Sequence, residues 1–123
     1  MINPKRLDLS LRTNSQFDQI YNLVESGVPV NLTGYTVEME FKRSPTGTTL
    51  ATITPTVVSP ATGGAWLLSI PAATIASIYT AVVTNANDGE PITIQHDIIF
   101  TEGGTGRVWF TGLAVIEKGI TNG

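Results

Sequence analysis

The feature that most restricts the fold is the strict alternation of apolar and polar side chains from Tyr35 to Lys42. Val37, Met39 and Phe41 share one parity, and the residues that alternate with them are threonine, glutamate or lysine. Because successive side chains of a β-strand point to opposite faces, this stretch predicts a strand with one face in the core and the other in solvent.

Most of the remaining chain consists of short segments that are typical of strands and are separated by turn residues. Strands or short extended pieces are predicted at residues 7–12, 16–24, 28–32, 48–58, 66–70, 79–83, 92–100 and 107–117. In the second of these segments, Phe17 and Tyr21 have one parity while Ile20 and Val24 have the other. That segment is therefore predicted to be a strand with a bulge or, as the alternative, a short helix.

Seven to nine strands at this spacing predict an all-β fold, an antiparallel β-sandwich or barrel, and we favour the sandwich. Pro55 cannot donate a ladder hydrogen bond, so it is expected at a sheet edge or a bulge. One short helical turn is predicted near residues 71–78, because proline suits a first helical turn and alanine favours helix. A parallel α/β sheet is excluded, since crossover helices are missing.

Length and composition restrict the number of domains and the kinds of partner that the protein can have. The 123 residues are predicted to form a single domain, 1–123, and 41% hydrophobic with only 14% charged residues indicates a packed globule. A net charge of -3 without a basic stripe predicts no nucleic-acid partner. The absence of cysteine, of a long apolar run and of a signal peptide predicts no membrane partner and folding in a reducing cytoplasm.

The residues that could take part in catalysis or metal binding do not form a recognisable active site in the sequence. His96, the single histidine, shares its parity with Ile94 and Ile98, so it is predicted to be a hydrogen-bonded structural residue. Glu38 and Glu40 lie on one strand face and are predicted to be solvated. No catalytic, cofactor-binding or metal-binding residue is therefore predicted, no cofactor is expected, and the protein is not expected to be an enzyme.

A different pattern predicts an interaction surface. Trp109 and Phe110 are neighbours in one strand and must face opposite sides of the sheet, and Ile98, Ile99 and Phe100 are three consecutive apolar residues. Strands that are apolar on both faces imply either a second covering layer or a contact between subunits. The candidate interface residues are Trp109, Phe110 and Ile99.

Several stretches resemble small virion proteins of tailed bacteriophages, the immunoglobulin-like β-sandwich domains of baseplates, tail tips and fibre attachments. The resemblance includes the N-terminal domain of upper baseplate proteins. It is carried by Leu7-Asp8-Leu9-Ser10-Leu11, by Val28 to Tyr35 followed by the strand that ends in Phe41-Lys42-Arg43, by the helical turn before Tyr79, by Asp88-Gly89 and by the closing Lys118-Gly119-Ile120-Thr121. A longer segment from Asn85 to Gly106 departs from the pattern.

The resemblance implies a structural function, in which many copies dock onto other virion proteins of the tail, baseplate or fibre-attachment region. It implies a homo-oligomer or a symmetric assembly with other proteins, located in the virion and, during assembly, in the host cytoplasm. The alternatives are a capsid decoration or head-to-tail connector protein and, from another class, a carbohydrate-binding module with Trp66 or Trp109 as an exposed platform. A metal-free hydrolase is the third alternative.

Overall fold

The computed structural model describes residues 5–43, 47–83 and 90–119, with the exception of the side chains of residues 107–109. The strands are β1 (Lys5–Arg6), β2 (Leu9–Arg12), β3 (Phe17–Asn22), β4 (Val24–Glu25), β5 (Val28–Pro29), β6 (Tyr35–Lys42), β7 (Thr49–Ile53), β8 (Thr56–Val57), β9 (Ala65–Ile70), β10 (Ile92–Glu102) and β11 (Thr105–Glu117). A 3₁₀ helix spans Ala61–Gly63, and helix α1 spans Ala72–Val82.

Two packed sheets form an all-β sandwich, as predicted. The larger sheet has the order β1-β11-β10-β6-β7, with β2 also paired to β11, and the smaller sheet has the order β3-β9-β8. A separate β4-β5 hairpin lies outside both sheets. In the described part of the chain, seven strands have four or more residues and four have only two, so the longer strands agree with the predicted seven to nine. Immunoglobulin-like connectivity stays a prediction.

The core lies between the two sheets and is centred on aromatic rings. Trp66 of β9 is fully buried, and its ring centroid lies 4.9 Å from that of Tyr21 in the same sheet. The same ring lies 5.3 Å from Phe100 and 5.4 Å from Phe110, which belong to the larger sheet. Since aromatic rings bury large apolar areas, this cluster joins the two layers.

The predicted alternation of β6 is confirmed, because Val37, Met39 and Phe41 are buried. The prediction for Pro55 is also confirmed. This residue lies between β7, the edge of the larger sheet, and β8, the edge of the smaller one. The chain therefore changes sheets at a residue that cannot extend a hydrogen-bonded ladder.

The helical prediction was too short, and the predicted strand at residues 79–83 was wrong. Helix α1 has 11 residues and continues to Val82. Ile75, Ile78 and Tyr79 are buried along one side, at the spacing that places side chains on the same helical face. At the end of the helix, Arg43 Nη2 donates a hydrogen bond to the Val82 carbonyl oxygen at 2.8 Å, which satisfies one of its free carbonyl groups.

Two further features differ from the sequence-based expectations. The 3₁₀ helix lies between the predicted strands 48–58 and 66–70, where the sequence indicated only turn residues, so 71–78 was not the only helical region. In addition, β1 and β2 pair in parallel with β11, whereas the other pairs of the larger sheet are antiparallel. The turn residues at 85–89, between the predicted strands 79–83 and 92–100, lie outside the described residues. Within the described ranges, no helix is long and apolar enough to cross a membrane.

Candidate docking surface

The outer face of the larger sheet carries an exposed apolar side chain at its centre. Ile99 of β10 is 45% exposed, although the residues on either side of it, Ile98 and Phe100, are fully buried. The strand register places Ile99 opposite Glu38 of β6 and opposite Trp109 of β11. Ile99 therefore lies in the middle of three paired strands, where a partner that covers the sheet would contact it.

The three predicted interface residues have different environments. Ile99 is exposed, whereas Phe110 is half-buried and its ring centroid lies 5.9 Å from that of Phe100 on the inner side. The backbone of Trp109 pairs with Ile99, and its side chain lies outside the described residues. Phe110 thus contributes to the core, while Ile99 is available to a partner. The interface role of all three residues stays a prediction.

Acidic side chains surround Ile99 on this face. Glu38 is exposed and lies opposite Ile99, and Asp97, two residues along β10, is exposed and lies opposite Glu40. Lys42 Nζ lies 3.7 Å from Glu40 Oε2 and offsets one of these charges. Around Ile99, the described side chains therefore combine an apolar centre with three carboxylates and one ammonium group, while Arg6 lies farther along the face opposite Thr111. This arrangement would complement an apolar surface bordered by basic side chains.

A shallow depression on the same face is too small for a typical substrate. Its volume is about 110 Å³, and its lining residues are Glu40, Lys42, Gln95, His96, Asp97 and Thr111. Ligand sites usually occupy several hundred Å³. In the described part of the chain, no group of three or more His, Cys, Asp or Glu residues is placed to hold a metal ion.

The histidine at this position has a structural contact, as predicted. His96 is 2% exposed, and its Nε2 lies 2.6 Å from the Leu7 carbonyl oxygen. A carbonyl oxygen only accepts hydrogen bonds, so Nε2 carries the proton and donates it. Nδ1 is then unprotonated, and it is buried without a hydrogen-bond partner among the described protein atoms. Burial lowers the pKa of His96 below its usual value, although the hydrogen bond to Leu7 opposes this effect.

The contact with His96 is part of a clamp that holds the N-terminal segment. The Leu7 amide donates to the Thr111 carbonyl oxygen at 3.0 Å, and the Asp8 Oδ1 atom accepts a hydrogen bond from the Leu113 amide at 3.0 Å. That bond is the main reason why the pKa of Asp8 is lowered. The Asp8 side chain thus replaces a backbone acceptor at the interruption between β1 and β2.

Stability is expected to fall as the pH decreases below about 6.5, because of His96. The folded-state pKa of His96 is lower than its unfolded value of 6.5, so the unfolded chain binds the proton first as the pH falls. The stabilisation is fully present above pH 6.5 and is lost towards the folded-state pKa, with a slope of at most about 1.4 kcal/mol per pH unit for one proton. The pKa of Asp8 is lowered from 3.8, so the stability that depends on ionised Asp8 is lost only below about pH 3.8, a separate and more acidic pH range.

Urea unfolding between pH 7.5 and pH 5 measures this slope. In the variant His96→Gln, the glutamine amide retains a donor for Leu7 and has no proton to gain, so its free energy of unfolding should change little over the same range. An equal slope in both proteins would show that another group titrates there.

The position of Trp66 affects the carbohydrate-binding alternative. Trp66 is 0% exposed, so the expectation that it serves as an exposed platform for a sugar is wrong. The side chain of Trp109, the other candidate, lies outside the described residues.

Comparison with solved structures identifies a similar fold. The protein resembles the N-terminal domain of phage TP901-1 ORF48 with a TM-score of 0.54 and 17% sequence identity, and the match covers 94% of this chain and 91% of that chain. No protein-family model and no curated protein matches the sequence. At this level of identity the likeness concerns the fold. It confirms the resemblance to an N-terminal domain of a phage protein.

Proposed function

We propose that this protein is a structural component of a tailed-bacteriophage particle and docks in many copies onto other tail, baseplate or fibre-attachment proteins. The observation that carries the proposal is the fold shared with the N-terminal domain of phage TP901-1 ORF48 over 94% of one chain and 91% of the other. A match across nearly the full length of both chains supports a common architectural role better than a match to a short sheet would.

The surface of the protein suits docking better than catalysis, so we propose a non-enzymatic role. The depression of about 110 Å³ beside His96 is small, and the histidine already donates its Nε2 proton to Leu7. Ile99, in contrast, is 45% exposed at the centre of a broad sheet face. A face of this kind contributes through contact area, which requires no reactive group.

The partner of the outer face is proposed to be another virion protein with an apolar surface bordered by Lys or Arg. Glu38, Asp97 and Glu40 surround the apolar centre, and buried contacts with like charges are unfavourable. Each single contact is expected to be weak. Repetition in a symmetric particle converts weak contacts into stable attachment, because the second and later contacts form at a high effective concentration.

The protein content of purified particles tests the proposed function. Particles are banded on a density gradient and analysed by quantitative mass spectrometry, with a non-structural phage protein as the control for contamination. The protein should be present at a fixed ratio to the major tail protein, while the control is absent. Presence only in the lysate, or at the level of the control, would contradict the proposal. Particle images would then separate a tail position from a capsid or connector position.

A further inference from the structure

The smaller sheet has a free edge at β3. In the order β3-β9-β8, no described strand pairs with the second side of β3. The Leu23 amide donates to the Gly64 carbonyl oxygen at 2.7 Å and continues the ladder between β3 and β9. Since the direction of the backbone hydrogen bonds alternates along a strand, the N–H and C=O groups of Tyr21 and Gln19 also point towards β9. The N–H and C=O groups of the residues in between therefore point away from the sheet; these residues are Asp18, Ile20 and Asn22.

This edge lacks most of the features that usually prevent pairing with another chain. Natural edge strands are commonly short, or they carry charged residues (above all lysine), proline or a bulge. The one charged residue of β3 is Asp18, whose carboxylate accepts hydrogen bonds from Ser69 and Gln16. Strand β3 has six residues, Phe-Asp-Gln-Ile-Tyr-Asn, and its register with β9 is continuous. The opposite edge of the same sheet, β8, has only two residues and is flanked by Pro55 and Pro60. One edge of the sheet is thus blocked and the other is open.

An exposed apolar side chain lies at the middle of the open edge. Ile20 is 51% exposed and points to the outer side of the smaller sheet, where it lies beside Leu67 of β9. These two residues, with Asp18 and Gln19, line a wide and shallow groove. Among the described residues, the Ile20 carbonyl oxygen accepts a hydrogen bond only from the amide of the adjacent Gln19 side chain, at 3.1 Å. This local bond can be exchanged for a ladder bond without changing the backbone.

We propose that β3 pairs with β3 of a second copy of this protein, antiparallel and about a two-fold axis, with Ile20 opposite Ile20. In this register Asp18 lies opposite Asn22, so an acidic side chain faces a neutral amide and an apolar side chain faces an apolar one. All three free residues of each strand form hydrogen-bonded pairs. The pairing would join two three-stranded sheets into one six-stranded sheet.

Other registers are less favourable for the same three residues. A shift by two residues brings Ile20 opposite Asp18 or opposite Asn22, which mixes apolar and polar partners. A shift by four residues in one direction brings the Asp18 carboxylates together, and like charges directly opposite each other are destabilising. The sequence of β3 is therefore complementary to itself in one register. The inference rests on the proposed function, because a phage particle would hold many copies of the protein close to one another.

A single introduced cysteine tests the register. The chain has no cysteine, so Ile20→Cys places one thiol in each copy. In the proposed pair the two Cα atoms would lie about 5.5 Å apart, which is within the range of a disulfide. Mild oxidation of the pure protein should give a covalent dimer at least ten times faster than it does for Thr52→Cys, an exposed position on the larger sheet. Equal rates for the two variants would overturn the proposed register.

A second pair of variants tests the association itself. Ile20→Lys introduces a charge at the centre of the edge, and we expect the dissociation constant of the dimer to rise at least tenfold in sedimentation equilibrium. The matched control, Val28→Lys, changes a side chain that is 63% exposed on the separate hairpin, and it should associate as the unmodified protein does. Circular dichroism checks that both variants are folded.

The two tests have distinct outcomes. A strictly monomeric pure protein at millimolar concentration would overturn the pairing, and so would a dimer that Ile20→Lys leaves unchanged. All of these measurements use the pure protein. Their failure is therefore separate from a failure to find the protein in particles, which concerns the proposed function alone.

Discussion

Replacing Trp66 with alanine is expected to lower the free energy of unfolding by about 3–5 kcal/mol, the usual cost of removing a large buried aromatic side chain. Trp66 is fully buried and contacts Tyr21 in its own sheet and Phe100 and Phe110 in the other. Its removal leaves a cavity between the layers that rigid strands cannot close. Since single domains are stable by about 5–15 kcal/mol, this loss is a large fraction of the total stability.

Urea or thermal unfolding of the purified variant measures this loss. Leu67→Ala is the matched control, because Leu67 is the next residue of β9, is half-buried and faces outward. Leu67→Ala should lower the free energy of unfolding by less than half as much as Trp66→Ala does, since fewer buried contacts disappear. Similar losses in the two variants would mean that the core is not centred on the tryptophan.

Replacing Gly112 with alanine is expected to release the N-terminal strands and to destabilise the protein by about 1–3 kcal/mol, the typical cost of overpacking. A Cβ atom at this position would overlap the Leu7 carbonyl oxygen. Rotation of a side chain cannot relieve this overlap, because the position of a Cβ atom is fixed by its own backbone and the Leu7 carbonyl is a backbone group. The Leu7 carbonyl is further held by His96, and its amide by Thr111. The N-terminal segment must therefore move away from β11.

Hydrogen exchange locates this effect, since the backbone amides of β2 should lose protection before those of β6. The control is Gly106→Ala in the same strand, where the nearest atom to an added Cβ is Ile99 Cγ2 at 3.6 Å, an ordinary contact distance. Unchanged protection of β2 in Gly112→Ala, or an equal loss in both variants, would contradict the proposed clamp.

The sequence predicts those elements in which local pattern and tertiary environment agree. Strand β6 alternates because one of its faces contacts the core and the other is solvated, and the periodicity shows this directly. His96 was predicted to be structural because its neighbours of equal parity are apolar. The extension of α1 was missed, since Tyr79, Ala81 and Val83 also fit a strand period. Short apolar segments are ambiguous between the two periods.

Features that depend on partners distant in sequence were not predictable in the same way. The parallel direction of β1 and β2 and the close approach of Leu7 to Gly112 are set by the choice of neighbouring strand. For the surfaces, the three consecutive apolar residues around Ile99 did signal an exposed side chain. Ile20 also indicated an exposed apolar side chain, because its parity is opposite to that of Tyr21. This change of parity was interpreted as a bulge in the strand. The structure shows instead a regular edge strand with Ile20 exposed.

The central claim is that the protein acts by docking the outer face of its larger sheet within a phage particle. The most direct test supplies the protein in trans to a phage that lacks the gene and measures its amount in purified particles. Ile99→Asp is compared with Thr93→Asp, an exposed position on the same face of β10, about 20 Å away by strand rise. The account predicts that the unmodified protein and Thr93→Asp are incorporated equally, whereas Ile99→Asp, although folded, is reduced at least tenfold. Normal incorporation of Ile99→Asp, or absence of the unmodified protein from particles, would contradict it.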